Sequence, residues 1–244
     1  MDRQRDLEGL SALVTGATSG IGRAAAQELA RHGAEVVVHG RDIGRGGAVV
    51  DTITAEGGSA RFVAADLDDP ALLGDLAEQA GPVDILVNNA GISWFGPTPE
   101  LDIASFDRLY TANVRAPYFL VAALAPKMAS RGCGSIVNIG SMAGQVGMPG
   151  LAAYSATKAA LAALTRSWAA EFSRAGVRVN TVAAGPVYTA IQAPEQTATI
   201  GDTTIMGRAA RPEELASVVV FLASPKAGYM TGAVIAADGG RTAV

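Results

Sequence analysis

The stretch "TGATSGIG", residues 15–22, lies between the apolar run "SALVTG" (11–16) and the helical pattern "IGRAAAQELARHG" (21–33). Gly16, Gly20 and Gly22 allow a tight turn and let a ligand approach the N-terminus of the helix that follows. Free N–H groups and the helix dipole at such an end favour phosphate. Glycines by themselves also make ordinary turns. Here the order of strand, glycine loop and helix, opening a βαβ unit, points to a nucleotide. The spacing is G-x-x-x-G-x-G, not the G-x-G-x-x-G of many dinucleotide folds.

Beyond that loop, short apolar runs alternate with longer helical patterns. Further strands are predicted at "AEVVVHG" (34–40), "ARFVAAD" (60–66), "VDILVNNAG" (83–91), "GSIVNIGS" (134–141), "VRVNTVAAG" (177–185) and "GAVIAADGG" (232–240). The runs are continuous rather than alternating, the signature of a sheet covered on both faces. Strand alternating with helix implies an α/β architecture with a parallel sheet. One long helical region is predicted over about 102–130. The segment "VYTAIQAPEQTATIGDTTIMGRAARPEE" (187–214) breaks the rhythm. Its length and polarity predict a functional loop, with a substrate lid over about 188–208. No linker or repeat interrupts residues 1–244, so one domain is expected.

Composition narrows the function. Lys and Arg number 19 against 23 Asp and Glu, for a net charge of −4, and no basic run suggests nucleic acid. The lone cysteine, Cys133, offers no internal disulfide and fits a reducing compartment. No apolar run approaches the ~18 residues of a membrane span. The charged start "MDRQRDLEGL" lacks the apolar stretch of a signal peptide, so a cytoplasmic protein is expected.

In "AAYSATKAALAAL" (152–164), Tyr154 and Lys158 are four residues apart and share a helix face. Either both snorkel their polar tips to water, or they work together. Four motifs decide. "TGATSGIG", "NNAG" (88–91), Ser141 and "YSATK" (154–158) occur in the order found in the short-chain dehydrogenase/reductase family, with 13 residues from the serine to the tyrosine. The chain resembles the compact, single-domain type of that family from Leu10 to Gly240, and is similar overall to 3-oxoacyl-carrier-protein reductases.

The resemblance implies a single-domain Rossmann fold: a seven-stranded parallel sheet with helices on both faces. It implies an oxidoreductase moving a hydride between a nicotinamide cofactor and a ketone or secondary alcohol, with no metal. Tyr154 is the expected acid/base. A free phenol has a pKa of ~10, and the Lys158 cation, with the positive nicotinamide, is expected to lower it. Ser141 is expected to hydrogen-bond the substrate oxygen, although a serine there also suits a turn or cap. Asn113 is similar to the family's helix asparagine, which shapes a bulge and a water-linked proton path to the lysine.

For the cofactor, the resemblance implies Gly16, Thr18, Ser19, Gly20, Ile21 and Gly22 in the loop, and Asp66 and Leu67 at the adenine. Asn88, Ala90 and Gly91 would form the adenosine-side wall, with strand stabilisation an equal alternative for Asn88. Lys158, with Tyr154 beside it, would meet the nicotinamide ribose. Gly185, Pro186, Val187 and Thr189 would back the nicotinamide.

Two departures stand out. Ala184 replaces the family's usual proline, which predicts a less rigid shelf, and Gly140 stands where a second serine is common. At the second strand's end, "VVVHGRD" (36–42), Gly40 stands where NAD-users place an acid, and Arg41 follows. NADP(H) is therefore expected, with NAD(H) possible because Asp42 comes next. Ser19 supplies no second cation in the glycine loop. Trp94, Phe95, Gln145, Met148, Ile191 and Met206 predict an apolar substrate wall. A carrier-protein substrate is disfavoured because Ser135 replaces one docking arginine, leaving Arg174 as the other. A sugar or polyol dehydrogenase and a catalytically silent dinucleotide-binding regulator are the remaining alternatives. The alanine-rich helix over 151–170 suggests a homo-oligomer, a tetramer by resemblance.

Overall fold

The computed structural model describes residues 6–190 and 192–244. Seven parallel strands form one sheet: β1 (Ser11–Val14), β2 (Glu35–Gly40), β3 (Ser59–Ala64), β4 (Ile85–Asn88), β5 (Gly134–Ser141), β6 (Val177–Ala184) and β7 (Val234–Ala237). Their spatial order is β3-β2-β1-β4-β5-β6-β7. All seven predicted strands are present, and the central ones are apolar on both sides of the pleat. In β1, for example, Ala12 and Val14 join one core while Leu13 joins the other.

Helices cover both faces. α1 (Gly20–Arg31), α2 (Ile43–Ala55) and α8 (Pro212–Ala223) bury Leu29, Ile53 and Leu222 on one side. α3 (Pro70–Ala80), α5 (Ala116–Arg131) and α6 (Ala152–Phe172) bury Leu76, Leu124 and Trp168 on the other. Chain order reverses at β1, whose neighbours are β2 and β4. The crevice above the carboxyl ends of these strands is the ligand-binding position of an open α/β sheet.

Two predicted regions differ in detail. The helical stretch at 102–130 is two helices, α4 (Ile103–Tyr110) and α5, joined by a π-helical turn, Thr111–Arg115. The segment at 187–214 is not all loop: it carries α7 (Pro194–Gly201), and Val187 bridges to Ala210. Among the described residues, no helix is long and apolar enough to cross a membrane.

Candidate active site

The glycine loop leaves β1 with Gly16 at φ +62° and enters α1 with Gly20 at φ +53°, a region that side-chain-bearing residues avoid. A Cβ on Gly16 would also lie 2.9 Å from the Ala90 backbone. Asn89 clamps the loop, its Nδ2 donating to the carbonyls of Thr15 (2.9 Å) and Gly16 (3.1 Å). Thr15 Oγ1 accepts from the backbone N–H groups of Asn89 and Ala90.

His39, in β2, holds the loop from the other side. Its Nδ1 accepts from Gly16 N (3.3 Å) while Nε2 faces Ala65 O at 3.2 Å. Both contacts are met by a neutral ring with the proton on Nε2. Burial supports that state by taking the His39 pKa down to about 4. Sequence reasoning missed His39, because a lone histidine in an apolar strand reads as core.

The loop opens onto a cavity of about 360 Å³ at the β1/β2/β4 end of the crevice. Gly16, Thr18, Ser19, Gly20 and Ile21 line it, with Arg41, Asp66, Leu67, Ala90 and Gly91 opposite. Ser19 precedes α1 without a side-chain cap, whereas Asp42, Asp69 and Asp102 each accept an N–H from their own helix. The first turn of α1 is thus left open toward a phosphate. The positive-φ glycines and the uncapped helix fit a dinucleotide in this cavity.

Two expected residues stay out of the lining. Asn88 is buried, and its Nδ2 donates to Asn138 Oδ1 at 2.9 Å across the sheet. The pleat sends its side chain into the β4–β5 interior, and the neighbouring Asn89 lines the crevice instead. Gly22 faces Asn89 rather than the cavity; a Cβ there would sit 2.3 Å from Asn89 Nδ2. Its role is close packing of α1 on the clamp.

A second cavity, of about 190 Å³, continues from the first and shares Ile21, Asn89, Gly91, Ile92 and Thr189 with it. Ser141, Tyr154, Lys158, Gly185, Pro186 and Val187 meet there. Ser141 ends β5, and its Oγ accepts from Ala143 N (3.1 Å). Its hydroxyl lies beside the Tyr154 phenol in the same cavity. Lys158 is buried, donates to Ile139 O (3.0 Å), and lies 5.7 Å from the centre of the Tyr154 ring.

Burial pushes the Tyr154 pKa up, and the neighbouring Ser141 hydroxyl only partly offsets this. The expected lowering combines the Lys158 cation with a positive nicotinamide; in the protein by itself the phenol holds its proton. Burial also brings Lys158 down to about 8.

Asn113 sits in the π turn and is buried. Its Oδ1 accepts from Ile92 N and its Nδ2 donates to Ile92 O, both at 2.9 Å, and to Thr157 Oγ1 at 3.0 Å. Thr157 Oγ1 in turn donates to Tyr154 O (2.7 Å). The Asn113 side chain thus ties the wall after β4 to the helix carrying Tyr154 and Lys158.

Of the expected substrate wall, Phe95 and Met148 line the second cavity, joined by Leu151 and Ile200, which sequence reasoning missed. Trp94 folds over Gly96, where an added Cβ would meet its ring at 2.8 Å. Gln145 is exposed, and Met206 lines a different cavity beside Gly239. Ile191 lies outside the described residues. Ala184 stays in register in β6 opposite Ser141 and Ala237, and Gly185 N donates to Ala237 O (3.0 Å). The shelf without proline is thus held by the sheet. At Gly140, a Cβ would lie 2.6 Å from Thr181 Cγ2, so no serine fits without displacing Thr181.

Known proteins are similar to this chain in sequence and fold. A family model described as enoyl-(acyl carrier protein) reductase matches residues 16–242. A galactitol 2-dehydrogenase (L-tagatose-forming) from Cereibacter sphaeroides is 41% identical, over 97% of this chain and 96% of its own. A solved short chain dehydrogenase/reductase family protein superposes with a TM-score of 0.91 at 52% identity, covering 98% of this chain and all of its own. A 3-oxoacyl (acyl-carrier-protein) reductase from Agrobacterium tumefaciens C58, solved with NADP bound, gives 0.92 at 37% identity over 97% and 96% of the two chains. With its glycine loop, its switch-point crevice and its Ser-Tyr-Lys cluster in one fold, the chain belongs to the short-chain dehydrogenase/reductase family of oxidoreductases.

Proposed function

We propose that this enzyme interconverts a ketone and a secondary alcohol with an apolar body, using NADP(H) in preference to NAD(H). The observation that carries the reading is the meeting of Ser141, Tyr154 and Lys158 in an apolar cavity continuous with the glycine-loop cavity. Gly185, Pro186, Val187 and Thr189 would back a nicotinamide held along the two cavities, and that cofactor would supply or accept the hydride. Ser141 orients the substrate oxygen. Tyr154, protonated at rest, gives that oxygen its proton in reduction and takes it back in oxidation. Lys158 keeps a positive charge near the phenol, and Asn113 positions the helix that carries both.

The cofactor preference rests on the end of β2. A Cβ on Gly40 would lie 2.5 Å from Thr18 Cγ2, so the space for a ribose-binding acid is taken. Asp42 does not line the cavity: its Oδ1 caps α2 at Arg45 N (2.9 Å). Arg41 does line it, with a guanidinium suited to a 2′-phosphate. The substrate cavity offers Met142, Met148, Leu151, Phe95 and Ile200 and, among the described residues, no cation besides Lys158. That supports a neutral substrate over a carboxylate. Ser135, buried and bonded to Leu222 O (3.0 Å), cannot meet an acidic carrier protein.

Turnover of NADPH with a panel of apolar ketones, ketoses and a 3-oxoacyl thioester tests the substrate class, with apolar ketones expected to be fastest. Tyr154→Phe should retain NADPH binding and lose turnover by roughly 10²–10⁴. Parent-like turnover in that variant would refute the assignment of Tyr154.

A further inference from the structure

We propose that Arg45 is a second phosphate-binding cation at the adenosine end, and that Asp42 acts as its keeper. The inference rests on the NADP(H) reading above. The glycine loop contributes no cation, since Ser19 stands there. A phosphate monoester carries close to two negative charges at neutral pH, and Arg41 by itself balances one. Arg45, on the first turn of α2, lines the same cavity as Arg41 and Gly40. Arg108 lines it too, from α4 rather than from the β2–α2 corner.

Neither arginine of this corner is structural. The Arg41 side chain is 72% exposed and the Arg45 side chain 61%. Each rests against one carboxylate: Arg41 lies 3.9 Å from Asp66, and Arg45 Nε lies 2.9 Å from Asp42 Oδ2. Arg41 and Arg45 are thus each paired with one carboxylate, and Asp68 lines the cavity as well. Asp42 divides its oxygens, Oδ1 capping the helix at Arg45 N and Oδ2 holding the Arg45 guanidinium. A 2′-phosphate draws Arg45 away from Oδ2 while Oδ1 keeps the cap. Asp42 then sets how much of the Arg45 charge reaches the phosphate.

An asparagine at 42 retains a cap acceptor and lacks the charge, so Asp42→Asn separates the two roles. Dissociation constants for NADPH and NADH, measured by fluorescence titration of parent, Arg45→Ala, Asp42→Asn and the double variant, form the test. Arg45→Ala should weaken NADPH about tenfold, in line with one solvent-exposed charge-assisted contact, and leave NADH within about twofold. Asp42→Asn should tighten NADPH several-fold, and that gain should vanish in the Arg45→Ala background. An Arg45→Ala variant that leaves both cofactors unchanged, or weakens both alike, overturns the inference. So does an Asp42→Asn gain that persists without Arg45, which would be plain charge removal. A parent that binds NADH more tightly than NADPH overturns the cofactor reading beneath it, a result distinct from these.

Discussion

Lys158 shows what the site demands of the fold. Its ammonium is buried, with one carbonyl, Ile139 O, as its hydrogen-bond partner. The unfolded chain holds this proton to its ordinary value of 10.5, and the folded chain only to about 8. Below pH 8 both states are protonated, and the folded state bears the whole penalty of the buried charge, about 3 kcal/mol. Between pH 8 and 10.5 the folded chain sheds the proton while the unfolded chain keeps it, so this contribution makes stability rise with pH. Lys158→Met removes the penalty but strands the Ile139 carbonyl, which takes back about 1–2 kcal/mol. The net expectation is a variant about 1–2 kcal/mol more stable at pH 7 and inactive, with a flatter stability profile between pH 8 and 10.5. Denaturant melts at several pH values measure this, and a less stable variant at pH 7 would contradict it.

Among the elements, the segment after β6 is where rigid and movable parts can be separated. The lid is proposed over 188–208, but its far end is fastened. Met206 N donates to Gly239 O (3.0 Å), Thr204 Oγ1 bonds Gly201 O (2.8 Å), and Arg208 grips both carboxylate oxygens of Glu214 on α8 (2.8 and 2.7 Å). Tyr188 N is held by Ala210 O (3.0 Å). The part proposed to move is α7, whose Ile200 lines the substrate cavity, as Gln192 before it does. Hydrogen exchange should show amides at 194–200 gaining protection with NADPH, while those at 204–210 are slow in both states. Strong, equal protection of α7 with and without cofactor would argue against a lid. Strands and glycine loop were legible in the sequence because burial on both faces and positive φ leave direct marks on residue choice. The π turn at Asn113 was legible only through the family resemblance, as a bulge, since one extra residue in a helical turn barely alters the apolar pattern. The exchange of Asn88 for Asn89 was not legible, because two adjacent asparagines look alike until the pleat assigns their faces. Trp94 was misread for a related reason: its ring turns back on its own loop at Gly96, a contact no spacing rule announces.

At the scale of the whole molecule, the α4–α5–α6 side carries a group of exposed aromatic side chains. Phe106, Tyr118 and Phe119 are 41%, 45% and 51% exposed. They do not stand singly: Phe106 lies 4.7 Å from Tyr110, and Tyr118 lies 5.4 Å from Phe119 and 6.1 Å from Trp168 of α6, between ring centres. Clusters of exposed apolar side chains are found at interaction sites. This cluster supports the proposed homo-oligomer, with these helices and the alanine-rich α6 at a subunit contact. The consequence reaches the chemistry, because α6 carries Tyr154 and Lys158 near one end and Trp168 near the other. A partner packed on this side would restrain the helix that positions the phenol. Phe119→Asp places a charge on the exposed patch without entering the core. It should therefore reduce the native mass in light scattering at micromolar concentration, leave the far-UV spectrum unchanged, and lower turnover more than NADPH affinity. A parent protein that is monomeric under those conditions would overturn the oligomer. A Phe119→Asp variant that dissociates yet keeps full turnover would show instead that α6 holds its catalytic pair without help from a neighbour.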